Sequence, residues 1–208
     1  MKTTIVLGIV LVLLAASSAY PQNEKITYDF EESTGKWKIP DWAYMLDDHV
    51  ARGIELAPKQ SSTGESSMAV MCDFPGVIWS TALVEVEKDY DLTGYESISV
   101  DIYLPRKAPR DLMFARIILT ISDGWLFTQM KDKIPLTPGK WTTVTVPLES
   151  VEPEGRSSAW RGRKDKRLFL HIDKIKKIAV RIEYDTAPPT RTGPRYKGPI
   201  YIDNLVIE

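Results

Sequence analysis

Cysteine and histidine are nearly absent from this 208-residue chain, which has one Cys, Cys72, and two His, His49 and His171. A lone thiol excludes an internal disulfide, and two imidazoles are too few for a multi-histidine metal site. Zinc, iron–sulfur and haem chemistry therefore lose their usual ligands. An excess of one charge is also missing, because 27 Lys and Arg face 28 Asp and Glu and leave a net charge of −1. Nucleic-acid binding draws its affinity from cations placed on phosphates, so this balance argues against such a partner. Beyond residue 20 no apolar run is long enough to cross a bilayer. A Gly-x-Ser-x-Gly elbow, a phosphate-cradling loop and a zinc motif are all lacking, as are internal repeats and low-complexity linkers.

What is present begins with Met1 and Lys2, an apolar run from Ile5 to Leu14, and the small residues Ser17, Ser18 and Ala19. A short basic start, a run of this length and a small-residue site predict a secretory signal over residues 1–19. The expected domain is then residues 20–208, secreted or periplasmic, with no membrane insertion after cleavage. In that setting Cys72, flanked by Val70 and Phe74, reads as a small buried hydrophobe.

The rest of the chain is dominated by alternation. Met68, Val70, Cys72 and Phe74 share one side of their segment, and Ile98, Val100, Ile102 and Leu104 share one side of theirs. Residues 141–148, 177–184 and 199–207 repeat the theme, and runs at 78–86, 114–121 and 125–130 bring the count to at least eight. A period of two with β-branched enrichment predicts half-buried strands. Gly and Pro punctuate them at Asp73–Gly76, Ser122–Gly124, Thr137–Gly139 and Thr192–Pro194. Only residues 171–178 show a three-residue spacing of Ile, and 173–176 reads as a short turn before a strand. Many strands without βαβ spacing predict an all-β, two-sheet antiparallel sandwich, most economically a jelly roll. Residues 149–168 form the longest stretch without pattern, rich in Arg and Lys around Trp160. They read as a solvated loop, or as a cover for a ligand.

Three local patterns resemble a known group in order and spacing. Tyr28-Asp-Phe-Glu-Glu-Ser-Thr-Gly-Lys-Trp37 is similar to the opening strand of jelly-roll carbohydrate-binding modules with a galactose-binding-like fold, including those for β-glucan and mannan. Ser62-Thr-Gly-Glu-Ser-Ser-Met-Ala-Val70 is similar to their entry into the following strand, with Met68 where Leu is usual. Gly198-Pro-Ile-Tyr-Ile-Asp-Asn-Leu-Val-Ile207 resembles their closing strand. The resemblance implies a galactose-binding-like jelly roll and a polysaccharide or oligosaccharide partner. It says less about the ligand than about the fold, since related domains also bind proteins, among them an assembly factor of respiratory complex I, and a protein partner stays open.

The resemblance also implies a structural calcium, commonly held near the positions of Asp29, Glu31 and Asp203 with help from the turn at Thr63–Glu65. Asp29 and Glu31 are two apart on one expected strand, so their carboxylates would share a face while Phe30 turns inward. If first and last strands are neighbours, Asp203 joins them, and clustered carboxylates suit a hard cation. The plain alternative is three solvated carboxylates.

Sugar binding needs flat rings for the C–H faces of pyranoses and fixed polar groups for their hydroxyls. Alternation puts Asp101 and Tyr103, Arg116, and Arg181 with Glu183 on faces opposite the core, as a charged floor. Trp42, Tyr44, Trp79 and Trp125 lie in loops or at strand starts, where binding rings are usually placed, while Trp37 and Trp141 read as core or sandwich end. The alternative for the floor is an ordinary solvated face with weak ion pairs. No catalytic residues are assigned. The enzymatic rival is glycan cleavage, either hydrolysis by two carboxylates across the scissile bond, with Asp101 and Glu183 as the pair, or elimination by a lyase using Tyr with Arg.

Overall fold

A computed structural model describes residues 23–121, 126–148, 159–162, 171–185 and 193–208. The secretory-signal reading of residues 1–19, and most of the basic stretch 149–168, lie outside those residues. Among the described residues no helix is long and apolar enough to cross a membrane.

Among the described residues twelve strands form two antiparallel sheets. The first, sheet A, contains β1 (Ile26–Tyr28), β2 (Ala51–Pro58), β3 (Ser66–Phe74), β5 (Ser97–Leu104), β9 (Lys140–Pro147) and β12 (Tyr196–Ile207), in the order β2-β3-β12-β5-β9 with β1 also pairing β12. Sheet B contains β4 (Ser80–Tyr90), β6 (Met113–Thr120), β7 (Phe127–Met130), β8 (Ile134–Pro135), β10 (Trp160–Gly162) and β11 (Ile175–Tyr184), in the order β10-β7-β6-β11-β4 with β8 also pairing β6. The all-β sandwich expected from alternation is the observed architecture. First and last strands are neighbours, with Ile26 opposite Ile207 and Tyr28 opposite Leu205.

Alternation holds on β3, β5 and β11. Met68, Val70, Cys72 and Phe74 from β3, Ile98 to Leu104 at alternate positions of β5, and Ile178, Val180, Ile182 and Tyr184 from β11 meet in one core between the sheets. Burial pushes the Cys72 thiol well above its ordinary value, as befits a packed hydrophobe rather than a nucleophile. The expected turn before β11 is a short 3-10 turn over Ile172–Lys174.

Three departures come from local geometry. β1 stops at Tyr28, because Phe30 takes a left-handed backbone with φ of 54° that swings its ring inward against Trp37, at 6.0 Å between centroids. Asp29 and Glu31 therefore do not share a strand. β2 escapes the alternation rule because a register shift between Ala51 and Gly53 splits its pattern. A bulge between Asp203 and Val206 in β12, with Asn204 at φ 47°, moves the buried phase from Ile200 and Ile202 to Leu205 and Ile207.

Trp160 is not a loop residue over a ligand. It is 2% exposed, belongs to β10, and donates its indole N–H to the Pro147 carbonyl of β9 at 2.7 Å. One side chain thus ties the edge of sheet B to the edge of sheet A. Trp160→Ala is expected to lower stability by about 3–5 kcal/mol, measured as a shift in the urea unfolding midpoint.

Candidate functional site

The outer face of sheet B gathers the most chemistry. β11 runs between β4 and β6, and its outward residues are set by the inward ones: with Val180 and Ile182 in the core, Arg181 and Glu183 must face out. Arg181 lies opposite Leu83 on one side and Arg116 on the other, while Glu183 lies between Thr81 and Phe114. One residue pair further along, Ala179 sits between Glu85 and Ile118, and Ile118 is followed by Gln129 and then Arg161.

This outward group is buried, which an ordinary solvated face is not. Arg116 is 7% and Glu183 4% exposed. Arg181 donates through Nη2 to Glu183 Oε1 at 2.5 Å and to Gln129 Oε1 at 2.6 Å. Arg116 Nε stands 3.7 Å from the same Glu183 oxygen, an ion-pair separation too long for a hydrogen bond. The Nε of both arginines is buried without a partner, and the Arg116 side chain makes no hydrogen bond among the described residues. Burial draws both guanidiniums below their usual range against the opposing pull of Glu183, yet they stay charged. Two cations thus share one carboxylate at the centre of a sheet face.

Beside the charges runs an apolar strip of Leu83, Ala179 and Ile118, with Trp42 and Phe127 packed on it. Trp42 comes from a 3-10 turn over Asp41–Met45 that follows Pro40. The flanking segment is stitched along the free edge of β4 through bridges from Lys38 to Glu85 and from His49 to Thr81. From there Trp42 leans over the face, edge-on to His49 at 5.0 Å. At the far side Lys133 lies over the Phe114 ring at 4.2 Å and pairs with Asp185. An apolar strip and a fixed donor–acceptor group side by side match a pyranose, which has a C–H face and a hydroxyl edge.

The expected floor is divided by the sandwich. Arg116, Arg181 and Glu183 come together, with Trp42 packed on the apolar strip beside them. Asp101 and Tyr103 belong to β5 and face outward from sheet A, on the opposite side of the core. The alternation was read correctly on each strand, but it carries no information on which sheet a strand joins. For the same reason Asp101 and Glu183 cannot flank one glycosidic bond, because a core layer about 10 Å thick separates the sheets. Tyr44 and Trp79 are 55% and 39% exposed. Both lie beyond the charged group, Tyr44 in the 3-10 turn and Trp79 at the entry to β4. Trp125 lies outside the described residues. Phe114, Phe127 and Gln129 belong to the face although they were not singled out. Their signal was present, since Phe114 shares the phase of Arg116, and Phe127 and Gln129 alternate with the buried Thr128 and Met130.

Asp29, Glu31 and Asp203 all accept from backbone amides of neighbouring turns. Asp29 is exposed, and it accepts from the Glu31 amide at 3.3 Å. Glu31 accepts from the Glu65 amide at 3.0 and 3.1 Å, with its carboxylate lying where a side chain on Gly64 would be. Asp203 accepts from the amides of Ser62, Thr63 and Asn204 at 2.7, 3.2 and 2.7 Å and from the Ser62 hydroxyl at 3.1 Å. Glu31 and Asp203 thereby clamp the 62–65 turn through its amides. Among the described residues no three His, Cys, Asp or Glu gather for a metal.

Two outcomes follow. Glu183→Gln removes the carboxylate that two buried guanidiniums share and is expected to cost about 3 kcal/mol, read by chemical denaturation. Asp203→Ala, which strips three backbone amides of their acceptor, is expected to lower the melting temperature.

No family model matches the chain, and no curated protein matches it. Solved structures do. A family 11 carbohydrate-binding module of the cellulosomal cellulase Lic26A-Cel5E of Clostridium thermocellum aligns at a TM-score of 0.51 and 16% identity, covering 88% of this chain and 94% of that one. The family 11 module from the same organism in complex with a β-1,3-1,4-mixed-linked tetrasaccharide aligns at 0.50 and 16%, with the same coverage. A family 28 module described as specific for non-crystalline cellulose aligns at 0.52 and 12%, covering 86% and 91%. At these identities the likeness is one of fold, and the chain has the β-sandwich jelly roll of carbohydrate-binding modules.

Proposed function

We propose that the protein is an exported, non-catalytic carbohydrate-binding protein that holds a β-linked polysaccharide on the outer face of sheet B. The observation that carries this reading is the buried Arg116–Arg181–Glu183 group, placed outward on a sheet and left short of partners. Buried polar groups in folded proteins are nearly all satisfied, and departures concentrate where a ligand completes them. Here the sugar hydroxyls would take the free guanidinium hydrogens through charge-assisted bonds, and a pyranose face would stack along Trp42 and the Leu83–Ile118 strip. The shape is an open sheet face, which suits a chain lying across it. Solved neighbours that share the fold carry β-glucan ligands or names, which supports a glucan as the first ligand to try. A secretory signal over residues 1–19 agrees with a substrate outside the cytoplasm.

The test is affinity electrophoresis of the protein without residues 1–19 in gels containing mixed-linkage β-glucan, hydroxyethylcellulose or an anionic glycan, with a reducing-sugar assay on the same mixtures. Retardation by a glucan with no released sugar is expected. Trp42→Ala and Arg116→Gln are each expected to weaken it about tenfold or more, with far-ultraviolet circular dichroism confirming the fold. Released sugar would instead make it an enzyme, and retardation by none of the glycans would favour a protein partner.

A further inference from the structure

We propose that the outer face of sheet A carries a second, separate carbohydrate platform, built on Tyr201, Tyr103 and Trp141. These residues stand in one row across three adjacent strands, Tyr201 of β12 opposite Tyr103 of β5, and Tyr103 opposite Trp141 of β9. Ile202, Ile102 and, further along β9 in the opposite phase to Trp141, Val144 are in the core, so all three rings project to solvent, half-buried against one another. Centroids are 6.0 Å apart between Tyr201 and Tyr103 and 5.5 Å apart between Tyr103 and Trp141, with planes tilted 60° and 51°. Trp141 is thus not a core or sandwich-end residue.

The polar groups of these rings are free. Among the described residues neither phenol nor the Trp141 indole N–H has a hydrogen-bond partner. Beside the ring row runs a fixed polar row. Asp101 accepts from Thr143 Oγ1 at 2.6 Å, Ser62 Oγ at 2.8 Å and Asn204 Nδ2 at 3.3 Å. Rings with unused donors, bordered by hydroxyls and a carboxylate held in place, describe a glycan more than a protein. A protein interface would be expected to surround such anchors with apolar residues, whereas the ring row continues into Ala69 and Glu55. The exposed aliphatics Val77 and Ile78 lie in the turn between β3 and β4, away from it.

The two platforms face opposite ways, so one molecule would join two glycan chains. This inference rests on the reading that the protein binds glycans, but its site is distinct and can fail by itself. Backbone and indole amide shifts of the isotope-labelled protein would be followed by NMR during titration with a β-1,3-1,4-mixed-linked tetrasaccharide and, separately, with cellotetraose. Shifts at the Trp141 indole, Tyr103 and Tyr201 alongside shifts at Arg181, Glu183 and the Trp42 indole are expected. Shifts on sheet B alone would overturn the second platform and leave the first standing, and shifts on sheet A alone would do the reverse. Silence on both would sink both, leaving the ring row as cross-strand packing. Trp141→Ala is expected to abolish the sheet A shifts while sparing those of sheet B, and to weaken polysaccharide precipitation at least tenfold. Trp141→Phe, which keeps a ring, is expected to retain part of both.

Discussion

The period of β11 is the constraint on which the molecule depends. Ile178, Val180, Ile182 and Tyr184 fill the centre of the core from this strand, and that commitment forces Lys177, Ala179, Arg181 and Glu183 outward. A slip of one residue would drive three charges into the core and four largely apolar side chains into water. The neighbouring strands lock the register from both sides, since β11 pairs with β4 and β6 along nearly its whole length. The core therefore determines the face, and the placement of Arg181 beside Arg116 follows from packing on the other side of the sheet.

The charges so placed are expensive. A surface pair would be worth little and a well-packed apolar replacement would often be at least as stable. Arg116 and Arg181 instead share Glu183 and leave nitrogen atoms unmatched. The outer face of sheet A is organised differently, with Asp101 and Asp203 saturated by nearby donors and the rings left open. One face thus presents unmet donors beside an apolar strip, and the other presents rings beside a satisfied polar row. The difference arises from the 62–65 turn, which folds over Asp203 and so removes its charge from the surface of sheet A.

Much of this was legible in the residues. Inward and outward sets on β3, β5, β6 and β11 were readable because alternation depends only on local covalent geometry. Sheet membership was not, since which strands pair is decided by long-range closure, and Asp101 was thereby assigned to the wrong side. Trp160 was hidden by its basic neighbours, whose charge masked a single buried ring. Trp141 alternates with Thr142 and Val144, so its outward phase was available. The Asp203–Asn204 bulge also left a trace, as Asn tolerates a left-handed backbone, but a trace of that kind does not locate a bulge alone. The jelly-roll likeness, by contrast, rested on patterns spread over the whole domain, which is why it survived errors at individual residues.

The position of β12 has a consequence for how the chain reaches this state. The last strand in chain order lies in the middle of sheet A, hydrogen-bonded to β3 on one side and β5 on the other, and it also holds β1. Until it emerges, β3 and β5 each present an open edge of unpaired amides and carbonyls, and sheet A exists only as two halves. Partial chains would then be prone to pair with each other along those edges. The β2–β3 hairpin and the non-consecutive β5–β9 pair become one sheet only when β12 lies between them.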